Sequence, residues 1–303
     1  MNPILALLLR LPVHGLGLFV FFLPRRAELA LGRLLGRAAL AVDPKRPPTV
    51  RENLRRCLPE LSGAEREALV RANYEHYGIL TLELAHMFAP VPGHWRRYAE
   101  RFTRVEGLEN WKRAHDKDKG TIFFGAHLAN WELMAAAGAL AGIPITMTTR
   151  HLKPAWLDRW MERVRLTTGV RCVYQPRTMP AVMKTLRARA SVGFVLDQYM
   201  VPPMGQKLRF FGVKVDTLAV VAPLARRTGA GVIPVRQRRE PDGTVTVMFE
   251  PEVPLDGSDE ELNQRYCDRV EAWIRERPAE WLWAHRRFKH ADWSEADRRT
   301  QAA

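Results

Sequence analysis

The stretch GTIFFGAHLANWELMAAAGAL, residues 120–140, places a histidine between two different patterns. The apolar run Thr121–Gly125 predicts a short buried strand. Alanines and leucines at helical spacing then predict a helix over Trp131–Leu140. His127 therefore stands in the turn just past the carboxyl end of a strand. Ligands of α/β sheets collect at that edge, so His127 is the first candidate for chemistry.

The same alternation of strand and helix patterns continues along the chain. Apolar runs predict strands at 145–149, 170–174, 192–196 and 231–235, and helical patterns lie at 156–168, 178–189 and 217–228. A further edge strand is expected at 245–253 and a C-terminal helix at 259–277. Strands that alternate with helices indicate an α/β fold, with a largely parallel central sheet flanked by helices.

The N-terminus is apolar over residues 4–23, which is about the length that crosses a hydrocarbon core. Arg10, Pro12 and His14 interrupt this run, and an arginine near a helix centre costs about 2.5–3.5 kcal/mol on insertion. A basic leader and a small-residue cleavage site are missing, which argues against a cleaved signal peptide. We expect an uncleaved membrane-anchoring helix, either tilted across the bilayer or lying in its interface. A buried helix of a soluble domain is the alternative.

Helical patterns also fill the region after the anchor. Residues 27–41 form an amphipathic pattern with arginines on one face, and further helices are expected at 49–58 and 62–87. Ser62 and Glu65 have the spacing of a capping box at the start of the last helix. The sequence therefore divides into an anchor helix (1–26), a helical membrane-proximal region (27–100) and an α/β domain (101–295).

The net charge of +14 predicts anionic partners, whether lipid, acidic protein or nucleic acid. The sequence contains neither zinc-finger spacing nor an aromatic RNA-binding signature, so we do not expect a nucleic-acid partner. The three cysteines, Cys57, Cys172 and Cys267, lie far apart and indicate reduced thiols rather than disulfides.

His127 and Glu132 are five positions apart, and on one regular helix they would point about 140° apart. They can pair only if His127 lies in the turn before the helix. A neutral imidazole would then act as a general base, while the carboxylate orients the ring. The alternative is a histidine held by a backbone carbonyl. The spacing lacks the second helical histidine of a zinc site, so we expect no metal and no other cofactor.

Seven segments together resemble a known family. HLANWE at 127–132 is similar to the HxxxxD/E motif of membrane acyltransferases, in the form found in the lipid A biosynthesis acyltransferases (the lauroyl/myristoyl branch). In the same order as in that family, the other similar segments are RENLRRCLPEL (51–61), VEGLENW (105–111), RLTTG (165–169), FVLDQ (194–198), RFFGVKV (209–215) and WLWAHRRFK (281–289). These matches run from about residue 50 to 290.

The resemblance implies a fold like that of glycerol-phosphate acyltransferases and a location at the cytoplasmic face of the inner membrane. It implies that a fatty acyl chain passes from an acyl carrier protein thioester to a hydroxyl. That hydroxyl belongs to a 3-hydroxyacyl chain on a phosphorylated glucosamine disaccharide, the lipid A precursor. Both substrates are anionic, as the positive charge predicts. FVLDQ replaces the EG-containing block of the glycerol-phosphate enzymes, which argues against a glycerol-phosphate acceptor.

The resemblance also implies roles for single residues. His127 would be the general base and Glu132 its orienting partner, with Arg165 stabilising the transition state or holding a phosphate. The alternative for Arg165 is a solvated helix charge, with Arg163 as a rival. Asp197 ends an apolar strand and would be functional, or else a cap or ion-pair partner.

Three other residues have open roles. Asn130 would supply an amide to the site or cap the following helix. Arg286 and Arg287 would bind phosphate or form a solvated basic face.

Two other functions remain open at this point. One is an acyltransferase that uses another glycolipid or aminolipid acceptor, such as a mannosylated phosphoinositide or an ornithine-type lipid. The other is a non-catalytic basic protein of the membrane surface, which predicts that His127 and Glu132 lie far apart.

Overall fold

A computed structural model describes residues 3–176 and 178–294. Its first part is helical: α1 (Pro3–Phe22), α2 (Arg25–Val42), α3 (Arg46–Cys57), α4 (Gly63–Ala85) and a short 3₁₀ helix, His86–Phe88. The predicted capping box is confirmed, because Ser62 accepts from the Glu65 amide while the Glu65 carboxylate accepts from the Ser62 amide. Two satisfied backbone donors fix the start of α4.

The helices of the second part are α5 (His94–Phe102), α6 (Leu108–His115), α7 (Trp131–Leu140), α8 (Ala155–Leu166), α9 (Met179–Arg187), α10 (Val221–Thr228), α11 (Asp259–Glu276) and a 3₁₀ turn, Pro278–Glu280. The strands are β1 (Thr103–Glu106), β2 (Thr121–Gly125), β3 (Ile145–Arg150), β4 (Arg171–Gln175), β5 (Ser191–Val195), β6 (Gly205–Phe210), β7 (Val213–Leu218), β8 (Gly231–Arg239) and β9 (Val245–Phe249). The expected α/β architecture is confirmed.

The central sheet has the order β1-β9-β8-β2-β5-β3-β4. Every neighbouring pair is parallel except β8 and β9. The strand expected at the edge, β9, instead lies between β8 and β1, so that prediction was wrong. Its side chains are buried along its whole length, as an interior strand requires.

The segment expected to be helical from residue 217 is also different. Val213–Leu218 is a strand that pairs antiparallel with β6, and α10 begins only at Val221. The hairpin turns through Phe211 and Gly212, which have φ of +49° and +81°. A glycine accepts such a φ without steric strain, so the FFG segment makes this turn.

Side chains from both faces of the sheet form the core. Ile122 and Phe124 of β2 face one cluster, with α10, α11 and the segment after it, while Phe123 faces the other, with α5, α6 and α7. This alternation is the period-two pattern of a strand buried on both faces. The carboxyl end of β2 is thereby held rigidly from both sides.

The N-terminal helices pack tightly on one another and on the α/β part. A Cβ on Gly78 of α4 would lie 1.9 Å from the carbonyl oxygen of Gly32 in α2, so the two backbones touch. Asn73 of α4 donates to the carbonyls of Ala279 and Trp281. The division into an anchor helix, a membrane-proximal region and an α/β domain, with boundaries at 26/27 and 100/101, stays a prediction.

Helix α1 runs through Pro12, and the Nδ1 of His14 lies 2.8 Å from the carbonyl oxygen of Phe88. Among the helices of residues 3–176 and 178–294, none combines the length and the apolar character that crossing a bilayer requires. The membrane-anchoring role expected for this helix is not confirmed and stays a prediction.

Candidate active site

His127 and Asp197 meet because their strands are neighbours. Strands β2 and β5 pair in parallel with Gly125 opposite Val195, and each side chain follows two residues later. The Nδ1 of His127 donates to Asp197 Oδ1 over 2.9 Å, and the His127 backbone amide donates to Oδ2 over 3.0 Å. An ionised carboxylate can only accept, so this contact assigns the proton to Nδ1 and leaves Nε2 as the basic nitrogen.

A tryptophan completes the surroundings of the carboxylate. Trp281 Nε1 donates to Asp197 Oδ2 over 2.8 Å, and Asp197 is 1% exposed. Burial favours the neutral acid, but the charge and hydrogen bonds of His127 and the Trp281 bond outweigh it and lower the pKa of Asp197 to about 2. Asp197 is therefore ionised at neutral pH.

The contact with Asp197 also changes the pKa of His127. Burial lowers the pKa of His127, but the Asp197 charge and hydrogen bond outweigh burial, with a smaller effect of the Glu132 charge, so the pKa is raised. The imidazolium is thus stabilised by the carboxylate that also orients the ring. The Nε2 of His127 lies 3.4 Å from the side-chain nitrogen of Gln198.

Glu132 pairs with Arg165 rather than with His127, the partner that the sequence predicted. Its Oε2 accepts from Arg165 Nε over 2.9 Å and its Oε1 from Arg165 Nη2 over 2.6 Å, with both side chains at least 92% buried. This bidentate pair joins the first turn of α7 to the last turn of α8. The carboxylate that hydrogen-bonds to His127 is Asp197 instead, because the ring reaches across to the neighbouring strand.

Arg165 is not the solvated helix charge of the alternative interpretation. Burial opposes its charge, but the hydrogen bonds and charge of Glu132 prevail and raise the pKa of Arg165. The rival Arg163 is exposed and lies 5.4 Å from the centre of the Trp160 ring. Of the two, only Arg165 lines the cavity at His127.

Asn130 is the N-cap of α7. Its side-chain oxygen accepts from the amides of Glu132 and Leu133, both over 3.1 Å, and its Nδ2 donates to Glu83 Oε2 over 3.0 Å. The cap fixes where α7 begins and so fixes the turn that holds His127.

Arg287 is 1% exposed and donates to the carbonyl oxygens of Gln198 and Asp216 over 2.7 and 2.8 Å. The expectation of a surface arginine that meets phosphate or solvent was wrong at this position. Arg286 is exposed. Arg287 therefore anchors the C-terminal segment against the loop that carries Asp197.

We call His127 and Asp197 the dyad. A cavity of about 420 Å³ opens at the dyad, and we call it the His127 cavity. Its polar end holds His127, Glu132 and Arg165. The rest of the lining is mainly apolar and includes Leu84, Phe88, Phe123, Phe124, Met134, Ile145, Met147, Leu157, Met161, Phe194, Val235 and Phe249. Such a site suits a long hydrocarbon group whose reactive end lies at the histidine.

Trp281 was not predicted as a member of the site. Its segment, WLWAHRRFK, carries no local pattern that would indicate a contact over 84 positions. A usable signal did exist for Asp197, which follows its strand at the same offset as His127 follows β2.

Comparisons with known proteins identify the family of this chain. The family model "Bacterial lipid A biosynthesis acyltransferase" matches residues 8–290. A lipid A biosynthesis lauroyltransferase of Escherichia coli K12 is 30% identical over 91% of this chain and 90% of its own. A lipid A biosynthesis palmitoleoyltransferase of the same organism is 27% identical with the same coverage. A lipid A biosynthesis acyltransferase of Haemophilus influenzae is 24% identical over 82% of this chain and 79% of its own. Because the family match extends over nearly the whole chain, the protein belongs to the bacterial lipid A biosynthesis acyltransferases.

Proposed function

We propose that the protein is a late acyltransferase of lipid A biosynthesis that uses acyl carrier protein thioesters. The acceptor is a hydroxyl of a 3-hydroxyacyl chain on a phosphorylated glucosamine disaccharide. The observation that carries this proposal is the buried His127–Asp197 pair at the polar end of an apolar cavity. Family membership supports the lipid A acceptor.

The proposed reaction is a direct transfer. Nε2 of His127 takes the proton of the acceptor hydroxyl while its oxygen attacks the thioester carbonyl carbon. The carbon–sulfur bond then breaks, and the departing sulfur takes the proton from the imidazolium. The products are an ester and the free carrier thiol. Asp197 holds the productive tautomer and stabilises the imidazolium, which is the usual contribution of a carboxylate behind a histidine base.

In this proposal Arg165 stabilises the negative charge that develops on the thioester carbonyl oxygen. It lines the His127 cavity, and Glu132 holds its guanidinium from two sides. Negative charge develops on the carbonyl oxygen as the hydroxyl attacks, and a preorganised cation stabilises that charge. In this proposal Glu132 acts by positioning Arg165 and by adding to the field at His127.

The proposed location is the cytoplasmic face of the inner membrane. Helices α1 and α2 expose Leu18, Phe19, Phe22 and Leu34 beside the exposed Arg33. Apolar side chains mixed with arginines suit a helix that lies in the interface of an anionic membrane. The same net positive charge suits the acidic carrier protein that delivers the acyl chain.

The test is a defined reaction. The purified protein in detergent receives acyl carrier protein charged with lauroyl, myristoyl or palmitoyl chains, together with a tetraacylated, phosphorylated glucosamine disaccharide. Mass spectrometry should show the mass of one added acyl chain. His127→Ala, checked for folding by circular dichroism, should lose about 10²–10⁴-fold in rate. Lack of product with the folded wild type would exclude this acceptor and turn attention to other glycolipids or aminolipids.

A further inference from the structure

A second cavity, of about 450 Å³, lies between α2, α4 and the C-terminal segment 281–284. We call it the α2–α4 cavity. Leu35 and Ala39 line it from α2, Tyr74 and Tyr77 from α4, and Leu282 and Ala284 from the C-terminal segment. These residues are distinct from those of the His127 cavity.

Polar atoms without partners line this cavity. Asn73 Oδ1 and the hydroxyls of Tyr74 and Tyr77 are buried and have no hydrogen-bond partner within the described part of the chain. Asn73 is 0% exposed and Tyr74 7%. Buried polar groups are nearly always paired with protein, water or ligand, so these three oxygens are available to a polar group of a ligand. The cavity is therefore suited to an amphiphile rather than to a pure hydrocarbon.

Helix α4 connects the two cavities. Tyr77 lines the α2–α4 cavity and Leu84 lines the His127 cavity. Seven residues make about two turns, so both side chains lie on one face of α4, about 10 Å apart along its axis. Burial and the Asp197 charge both raise the pKa of Tyr77. Helix α4 therefore runs from the α2–α4 cavity to the cavity that His127 lines.

The outer side of the α2–α4 cavity opens on an apolar and basic surface. Leu35 is 42% exposed and is followed on the same helix by the exposed Val42. Arg46 is exposed and lines the cavity, where it pairs with Asp43 over 3.3 Å. An exposed ion pair contributes little stability, so this guanidinium can also meet the anionic headgroup of a lipid.

We infer that the α2–α4 cavity receives an acyl chain of the acceptor glycolipid, while the His127 cavity receives the donor chain. The two substrates then approach His127 along α4 from separate cavities. The unpaired oxygens of Asn73, Tyr74 and Tyr77 meet polar groups near the head of the acceptor chain. This inference rests on the proposed function, because it takes the acceptor to be an acylated glycolipid.

The first test separates the substrates by kinetics. Ala39→Trp narrows the opening of the α2–α4 cavity and should raise the KM for the acceptor about tenfold or more, with the KM for the acyl donor unchanged. Ala38→Trp is the matched control, since Ala38 is exposed on the same helix and does not line the cavity. Equal changes in both KM values, or an unchanged acceptor KM, would overturn the inference.

The second test does not depend on turnover. A tetraacylated, phosphorylated disaccharide that carries a photoreactive diazirine on one acyl chain is cross-linked to the wild-type protein, and the labelled peptides are mapped. Labels on α2 and α4 around residues 35–39 and 74–81, competed by unlabelled glycolipid, support the inference. Labels confined to the His127 cavity contradict it, even if the acyl transfer itself is observed. Missing product with labelled α2 and α4 would instead count against the proposed function alone.

Discussion

Asp197 accepts three hydrogen bonds, two from His127 and one from Trp281. The donors come from two distant parts of the chain and occupy both carboxylate oxygens, so the carboxylate has little freedom to turn. This fixes the ring of His127 with its Nε2 directed away from the carboxylate. The protonation state of His127 then depends on Asp197 more than on any other single group that raises its pKa.

Asp197→Asn should therefore change the pH dependence as well as the rate. His127 acts as a base only when neutral, so activity is lost as the pH falls through its raised pKa. Without the carboxylate that pKa falls, and the acid limb of kcat against pH should move to lower pH. The rate on the plateau should drop by about 10²–10⁴-fold because the tautomer is no longer fixed. A loss of rate with an unmoved acid limb would contradict this role.

Trp281→Phe should move the acid limb in the opposite direction. Without the indole donor the Asp197 carboxylate is less stabilised and attracts the His127 proton more strongly, so the pKa of His127 rises. The limb should therefore move to higher pH. Trp283→Phe is the control, because its indole donates to the carbonyl of Pro278 in the same segment without contacting Asp197. An equal shift in both variants would mean that only packing was disturbed.

Glu132→Gln tests the pairing within the site. It leaves the Arg165 charge without its counterion and loosens the guanidinium, so the rate of acyl transfer should fall. Arg165→Lys, which keeps the charge but loses the bidentate geometry, should fall by a similar factor. A double variant should then cost little more than either single one, because the two side chains act as a unit. Additive losses measured by kcat/KM would mean that they act separately.

His127 and Asp197 were predicted as candidates because each follows the end of an apolar strand, whereas Arg165 was predicted only from the resemblance to the family. The sequence did not predict which carboxylate contacts the imidazole. That contact depends on β2 and β5 being neighbours in the sheet, although 65 residues separate the end of β2 at Gly125 from the start of β5 at Ser191. Spacing along the chain favoured Glu132, whereas strand order placed Asp197 beside the ring.

At the scale of elements, Glu83 of α4 joins three parts of the fold. Its carboxylate pairs with Arg25 at the start of α2 and Arg239 at the end of β8, and accepts from the Asn130 cap of α7. Burial favours its neutral form, but the two arginines outweigh burial and lower the pKa of Glu83 to about 2. Its stabilising contribution is fully present above the usual carboxyl pKa and is lost as the pH falls from there to about 2.

Glu83→Ala should lower the free energy of unfolding by about 3–5 kcal/mol, because it removes the carboxylate that pairs with the buried Arg239 and one of the two that pair with Arg25. Glu67→Ala is the matched control on the same helix. Its pair with Arg51 is about half exposed and should contribute less than about 1 kcal/mol. Chemical denaturation of both variants in the same detergent measures the difference. Similar losses would mean that the buried junction adds nothing beyond a surface pair.

The sequence predicted most elements because their patterns are local. The strand at Thr121–Gly125 and the helix at Trp131–Leu140 were predicted at their observed bounds. The β6–β7 hairpin was missed because its polar strands, GQKLRF and VKVDTL, lack the apolar runs that revealed the central sheet. The position predicted for β9, at the edge of the sheet, was also wrong, because its pairing with β1 spans more than 130 residues and has no local signal.

At the scale of the molecule, α1 and α2 present exposed apolar side chains beside arginines. Replacing Phe19 and Phe22 by serine should weaken binding to vesicles that contain anionic lipid by tenfold or more, since burying one phenylalanine contributes about 1.5–3 kcal/mol. Leu166→Ser is the control, because this exposed leucine ends α8 and is not part of the surface of α1 and α2. Co-sedimentation at two salt concentrations measures both. Equal losses would contradict a specific membrane-binding face.

The bond from Trp281 to Asp197 also has a consequence for biosynthesis. Translation makes the N-terminal helices first and Trp281 only after α11. A nascent chain that has already formed the histidine turn still lacks the indole and Arg287, which hold the opposite side of the pair. The surroundings of His127 are therefore complete only after Trp281 and Arg287 have been synthesised, and we expect a chain that is cut short after α11 to be inactive.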